Sequence, residues 1–433
     1  MESKQPKILV LSSCSPKQGP AILAEQFYDA LHQKGLDGDL MLKYPEPNHP
    51  EYLYVLDHDY EKGFGFRLKR KVHWILVGGH AKESGYYFFY PKEKHPPIPS
   101  QLIVKNIKKK YDLVVVVFWQ GLLSFETIEK IYDKLHCQIQ FWCVDYSPMS
   151  GGCHFTGDCQ NYKTGCGMCP AFHSKNQNDF TAWNVRYRQR VYEKVKPIVY
   201  GNQYMHQFYA QSYLLKNARK EIFIAPIIDT SIFYPLPVDP LRKKYGIPEK
   251  KNKIIFFGCQ ALDDPRKGMA YLLEALNILH EKMETAADTV LIMAAGKNFD
   301  SIKDKIPFDS IGLGYVAMND LPEVYSLATC FVCPSVNDAG PMMVNQSLCC
   351  GTPVVGFEMG AMLQVVKDKG TGICVKLKDS EALADGVQKI LQMNMDEYMT
   401  MSQRCREVAV QTSSYEAQAD MILSACQKYQ TNI

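Results

Sequence analysis

The sequence has no long hydrophobic run. No apolar stretch approaches the roughly 20 residues that a helical membrane span needs. Leu113 to Trp119, for example, has only the length of a strand. The opening, MESKQPKILVLSSCS, lacks the basic lead, long apolar core and small-residue cleavage site of a signal peptide. The chain is therefore expected in the cytoplasm, at most peripheral to the inner face of a membrane. An excess of one charge sign is also missing: 49 Lys and Arg stand against 46 Asp and Glu, for a net charge of +3. That balance argues against a polynucleotide partner, which calls for a concentrated basic face. With 46% hydrophobic and 22% charged residues, the composition is that of a globular chain. Fifteen cysteines are plentiful. In a reducing compartment they read as thiols or metal ligands, not as a disulfide frame.

What the sequence does have is alternation of short apolar runs and amphipathic stretches. Residues 7–12 (KILVLS) read as a buried strand, 13–20 as a Ser/Gly/Pro loop and 21–35 as a helix. Further strands are expected at 111–120, 138–144, 198–200 and 222–225, with a helix at 125–135. The Pro- and Lys-rich segment 226–253 reads as a connection. The alternation then restarts, with strands at 253–258, 289–296, 330–335 and 352–357. Helices are expected at 268–282, 319–327, 343–350 and 380–392. At roughly 100–200 residues per domain, 433 residues make two or three. The pattern implies an α/β chain of two doubly wound, Rossmann-like domains with an interdomain cleft, ligands lying at the carboxyl ends of strands. The expected boundaries are 1–225, with a cysteine-rich insertion at 151–172, then 226–410, and a final segment 411–433 that crosses back to the first domain.

Chemistry concentrates in two loops. After strand 253–258, Arg266 and Lys267 precede Gly268 at a helix start. Two cations beside free helix N–H groups suit a diphosphate. The segment 334–361 (PSVNDAGPMMVNQSLCCGTPVVGFEMGA) follows the strand at 330–335. Asp338 is its only carboxylate before Phe357, Gly340 and Pro341 shape a tight turn, and a helix starts near Met342 and Met343. Gln346 lies eight residues after Asp338, expected to point back toward the helix start. A carboxylate that accepts from hydroxyls and N–H groups that receive oxyanions suit a phosphorylated, hydroxylated ligand. The same aspartate would also serve as the N-cap of an ordinary loop.

This segment resembles the donor-binding motif of glycosyltransferase family 4, E-x7-E followed by A-x-x-C-G-T-P-V-V. Asp338 and Gln346 stand at the two acidic positions, and Cys350 to Val355 on the second part. Arg266-Lys267-Gly268 is similar to the family's phosphate-binding R-K-G. Ile227, Ile228, Asp229, Phe233 and Pro235 lie on its hinge motif, with Ile227 where the family has Asn. The resemblance covers about residues 195–395. It implies the GT-B fold and a retaining transfer of sugar from a nucleotide-diphosphate sugar to a glycan or lipid-linked glycan, as in cell-surface polysaccharide synthesis. It also implies that Asp338 contacts the donor sugar and Gln346 the ribose. Arg266, Lys267 and helix N–H groups would stabilise the departing diphosphate without a metal. Gly19 in the first loop, with Gly268, Gly340, Pro341, Met342 and Met343, would complete the donor site. Other readings stay open: a GT-B phosphorylase or nucleotide-sugar epimerase, a catalytically degenerate GT-B homologue acting as a binding or partner subunit, and a zinc-dependent nucleic-acid module.

Cys153, Cys159, Cys166 and Cys169, spaced C-x5-C-x6-C-x2-C, are candidate ligands of a structural zinc, with buried thiols or disulfides as the other reading. The segment resembles a T-G-G-C-H-Y insertion in a polysaccharide and O-antigen subset of the family, on Asp145, Gly151, Gly152, Cys153 and His154. Many family members carry a His just before that aspartate, where this chain has Val144. Asp145, or His154, is then expected to supply the polar contact at the cleft, with Asp145 a catalytic candidate beside Asp338, Arg266 and Lys267. Basic clusters at 66–74 and 104–112 are candidates for contact with phosphate or an anionic membrane, or are solvated helix faces.

Overall fold

In a computed structural model, the described residues are 6–13, 19–77, 79–82, 84–88, 92–119, 121–143, 145–223 and 226–430. The chain divides into two compact units. The first comprises Met1–Gly201, Met205–Phe223 and Gln418–Ile433; the second comprises Asn202–Tyr204 and Ile224–Ala417.

The first unit is built on β1 (Ile8–Ser12), α1 (Gly19–Gln33), β2 (Gly38–Leu42), β3 (Leu53–Tyr54), α2 (Phe64–Ile75), α3 (Ser100–Val104), β4 (Leu113–Phe118), α4 (Phe125–Leu135), β5 (Gln138–Trp142), α5 (Phe180–Val195), β6 (Ile198–Gly201), α6 (Gln203–Tyr209) and β7 (Arg219–Ile222). Seven parallel strands lie in the order β3-β2-β1-β4-β5-β6-β7. Every residue of β1 is buried, as a strand covered on both faces requires. The strand expected at 222–225 lies earlier, at β7, and 224–225 fall outside the described residues. The short strands β2 and β3 leave no clear mark in the sequence: GDLML offers little strand propensity, and two residues carry no pattern.

The second unit follows with α7 (Val238–Lys244), β8 (Lys253–Ala261), α8 (Met269–Met283), β9 (Val290–Lys297), β10 (Asp309–Gly314), α9 (Leu321–Leu327), β11 (Cys330–Cys333), α10 (Met342–Cys349), β12 (Val354–Phe357), β13 (Gly372–Val375), α11 (Ser380–Leu391), α12 (Met395–Ser413) and α13 (Tyr415–Gln430), the last passing into the first unit at Gln418. Six parallel strands lie in the order β10-β9-β8-β11-β12-β13. Side chains alternate between two cores. Ile254, Phe256, Leu291 and Met293 face one. Ile255, Phe257, Ile292 and Ala294 face the other. This period of two is the strand geometry itself. The edge strands β10 and β13, which the sequence pattern does not show, have no fully buried residue and so leave no apolar run to read.

Strand order reverses between β8 and β11, which are neighbours in the sheet. In doubly wound sheets such a reversal is where the following loops splay apart and a ligand fits. Among the described residues, no helix is long and apolar enough to cross a membrane.

Candidate active site

The loop after β8 delivers the two cations. Pro265–Lys267 form one 3₁₀ turn, capped by Asp264, whose Oδ1 accepts from Arg266 N at 3.0 Å. The same carboxylate holds the guanidinium, with Arg266 Nη2 at 2.6 Å from Oδ2. Gly268 then takes a left-handed φ of +71° and opens α8. A Cβ there would fall 1.8 Å from the carbonyl oxygen of Pro334. Only glycine satisfies both demands. The close approach is reinforced by Val336 N, which donates to Arg266 O at 2.8 Å. The loops after β8 and β11 are thus locked backbone to backbone.

That lock places Lys267 against Asp338. Lys267 Nζ donates to Asp338 Oδ2 at 2.5 Å, and Gly340 N donates to Oδ1 at 3.1 Å. Burial by itself would raise the Asp338 carboxyl; the Lys267 ammonium outweighs it and holds the group below its ordinary value. Burial likewise works against the Lys267 ammonium, and Asp338 more than restores it. The cluster therefore brings two basic side chains and two carboxyl side chains together, held in place by their own hydrogen bonds. The loop is pinned further by Asn202 Nδ2, which donates to Ala339 O. Pro341 then starts α10, whose first residues Met342 and Met343 are half-buried.

Gln346 makes contacts that its spacing from Asp338 does not announce. It is buried: the Tyr325 hydroxyl donates to its Oε1 at 3.1 Å, and its Nε2 lies 3.4 Å from Met318 Sδ. From Val344 to Cys349 every residue of α10 is buried, so the helix is enclosed all round and Gln346 with it. The C-G-T-P run ends this helix. Gly351 has φ +73°, with Ser402 Oγ 2.9 Å from where a Cβ would stand. Thr352 Oγ1 donates to Tyr325 O at 2.7 Å. Most of the expected loop at 13–20 lies outside the described residues, and Gly19 opens α1.

In the first unit, Asp145 follows β5 at the carboxyl edge of the sheet. Its Oδ1 accepts from Ser147 N at 2.7 Å and its Oδ2 lies 2.9 Å from His154 Nδ1, both side chains being buried. Val144 lies outside the described residues. Beside this pair is a second one that sequence reading misses. Arg188 Nε donates to Glu93 Oε1 at 3.1 Å, its Nη1 donates to Ser150 O at 2.7 Å, and Glu93 Oε2 accepts from Phe125 N at 2.8 Å. Glu93, Ser147, His154 and Arg188 line one small cavity. No local motif joins residues 95 apart, so only the fold reveals this network.

Cys153, Cys159, Cys166 and Cys169 converge on one narrow cavity with Tyr86 and Tyr162. The expected structural zinc does not find its site there. Among the described residues, no group of three or more His, Cys, Asp or Glu is placed to hold a metal ion. The four are free thiols. Burial pushes the Cys153 thiol up to about 11 and the Cys166 thiol up to about 12.

Comparison with known proteins bears on this geometry. Residues 238–409 match the family described as glycosyl transferases group 1. The GDP-mannose-dependent alpha-(1-6)-phosphatidylinositol monomannoside mannosyltransferase of Mycobacterium tuberculosis is 26% identical over 203 residues, covering 43% of this chain and 50% of that protein. An uncharacterized glycosyltransferase of Methanocaldococcus jannaschii is 26% identical over 155 residues, 35% of this chain and 38% of its own. The matched segment thus spans half or less of these curated relatives. Among solved structures, sucrose-phosphate synthase from Thermosynechococcus elongatus superposes with a TM-score of 0.65 at 16% identity, over 99% of this chain and 100% of that one. HepE of Anabaena, in complex with UDP and glucose, does so with a TM-score of 0.62 at 13% identity, over 98% and 100%. The fold is GT-B, two parallel-sheet α/β domains, and the match to the group 1 glycosyl transferases falls within the second of them, on residues 238–409.

Proposed function

We propose that the chain is a retaining glycosyltransferase. It moves a sugar from a nucleotide-diphosphate sugar, held by the second unit, to a glycan or lipid-linked glycan in cell-surface polysaccharide synthesis, with peripheral contact to an anionic membrane. The observation that carries the reading is the Arg266–Lys267–Asp338 cluster at the point where strand order reverses. Two cations fixed by carboxylates present a preorganised site for the charge that develops on a leaving diphosphate. In the transfer, the bond from sugar C1 to the phosphate oxygen breaks and a bond from C1 to the acceptor oxygen forms on the same face. The departing phosphate takes the acceptor proton. Asp338 accepts from a sugar hydroxyl, and the backbone of Gly268, Gly340, Pro341, Met342 and Met343 lines the donor. Gln346 reaches a ribose by exchanging its Tyr325 contact. Gly19 completes the donor site, and Asp145 serves the acceptor side. HepE in complex with UDP and glucose supports the donor class, and the mycobacterial mannosyltransferase's phosphatidylinositol monomannoside supports a lipid-linked acceptor.

The test is a thermal-shift panel of UDP, GDP, ADP and CMP on the wild type, Lys267→Ala and Asp338→Ala. A ligand at about 100 times its Kd stabilises by about 2.7 kcal/mol. A shift from one nucleotide that Lys267→Ala abolishes supports the reading and identifies the base. A folded wild type that binds none of the four overturns it in favour of a degenerate homologue.

A further inference from the structure

The first basic cluster lies on α2, and α2 has an unusual surface. Its residues Phe64, Leu68, Val72 and Ile75, and Leu76 just beyond it, are 43–81% exposed. At about 100° per residue these five fall within one arc of roughly 120°. The opposite side is seated on the protein. Phe66, His73 and Trp74 are buried, and the Trp74 ring stacks on His80 at 4.4 Å and on Phe172 at 6.2 Å. The exposed stripe is therefore not a misplaced core face, because the helix already has its core face elsewhere. Isolated apolar side chains at a surface are ordinary, but a contiguous stripe along three turns marks a contact.

Charge decides the partner. Arg67, Lys69, Arg70 and Lys71 stand on the same helix, with Lys71 and Lys69 flanking the apolar arc on its two sides. Between Glu61 and Glu83 the sequence holds six Lys or Arg and no carboxylate. None of the four helix cations makes an ion pair among the described residues. A second copy of the chain would bring these cations against their own kind across an isologous contact. A bilayer surface of anionic lipid satisfies both features at once: acyl chains take the apolar arc and head groups take the cations. We propose that α2 is an interfacial helix that seats the first unit on an anionic membrane, with Phe64, Leu68, Val72, Ile75 and Leu76 inserted and Arg67, Lys69 and Lys71 at head-group level. The proposal rests on the reading of a membrane-side acceptor given above, and it names the element responsible.

The full chain should co-sediment with vesicles of phosphatidylglycerol and phosphatidylcholine, weakly with phosphatidylcholine alone, and less as salt rises. Leu68→Asp with Ile75→Asp, both at exposed positions, should reduce that binding by at least about tenfold. Arg67→Glu with Lys71→Glu should do the same while leaving the thermal midpoint in place. Undiminished vesicle binding by both variants overturns the proposal, as does a wild type that ignores anionic vesicles. So does a wild-type dimer in solution that the Asp variants dissociate, which would assign the stripe to a second copy. The nucleotide-induced thermal shift reads the second unit alone, so failure of the membrane proposal and failure of the donor reading are separately visible.

Discussion

Lys267 and Asp338, 71 residues apart in the chain, meet as an ion pair with Nζ 2.5 Å from Oδ2. Each is mostly buried, and each offsets the cost of burying the other's charge. Removing one partner leaves a charge in a poorly solvated place. Lys267→Ala is therefore expected to cost about 3 kcal/mol of stability. Lys267→Ala with Asp338→Ala should cost less than the sum of the two single changes, as urea unfolding of all four forms would register.

The same pair sets an acid limit. The Asp338 carboxyl in the folded chain titrates below its ordinary value of 3.8, so its contribution is present above that pH and lost as pH falls through the folded value. The stability gap between wild type and Asp338→Asn should be full at neutral pH and shrink below pH 3.8.

Gly268 should tolerate no side chain. Its φ is +71°, and Pro334 O lies 1.8 Å from where a Cβ would stand, so Gly268→Ala forces the loops after β8 and β11 apart. A loss of about 2–4 kcal/mol is expected from strain and displaced packing. Nucleotide affinity should fall with it, because Lys267 and Asp338 ride on the separated loops. Calorimetric melting with and without nucleotide measures both.

Glu25, on α1, works against the fold at neutral pH. Burial pushes its carboxyl from 4.5 up to about 7. Its folded value lies above its unfolded one, so stability falls as pH rises from 4.5 and the penalty is complete above about 7. Glu25→Gln should raise the melting midpoint above pH 7 and leave it nearly unchanged below 4.5.

Arg188 and Glu93 are buried together, with side chains 3% and 8% exposed. Arg188→Met alone strands the Glu93 carboxylate and should cost about 3–5 kcal/mol. Adding Glu93→Leu should recover much of that loss in urea unfolding.

The parts of the molecule legible in sequence are those whose signal is local. Buried strands such as β1 and β8 are short apolar runs, and the R-K-G turn and the Asp338 loop each fit within a few residues. Edge strands are not legible, because β10 and β13 are only half covered and bury no continuous run. Sequence spacing places Gln346 on α10 eight residues after Asp338 but does not announce its partners Tyr325 and Met318, which lie on other segments. The four cysteines stand within seventeen residues and do line one cavity, but spacing alone does not give their state, which is that of free thiols. Glu93–Arg188 and the Asn202–Ala339 contact join distant segments, and no short motif announces either.

The return of the chain into the first unit at Gln418 has a consequence for synthesis. Gln418, Ala419 and Ile422 are buried, and Asp420 pairs with Lys34 at 2.9 Å. On the ribosome the first seven strands emerge well before these residues exist. The second unit, whose segments lie together apart from Asn202–Tyr204, is translated in between. Unit one must therefore wait, with part of its apolar surface uncovered, until translation has passed beyond unit two. Its last packing step follows synthesis of unit two, and a nascent chain stalled before Gln418 should engage holdase chaperones that a chain carrying these residues does not.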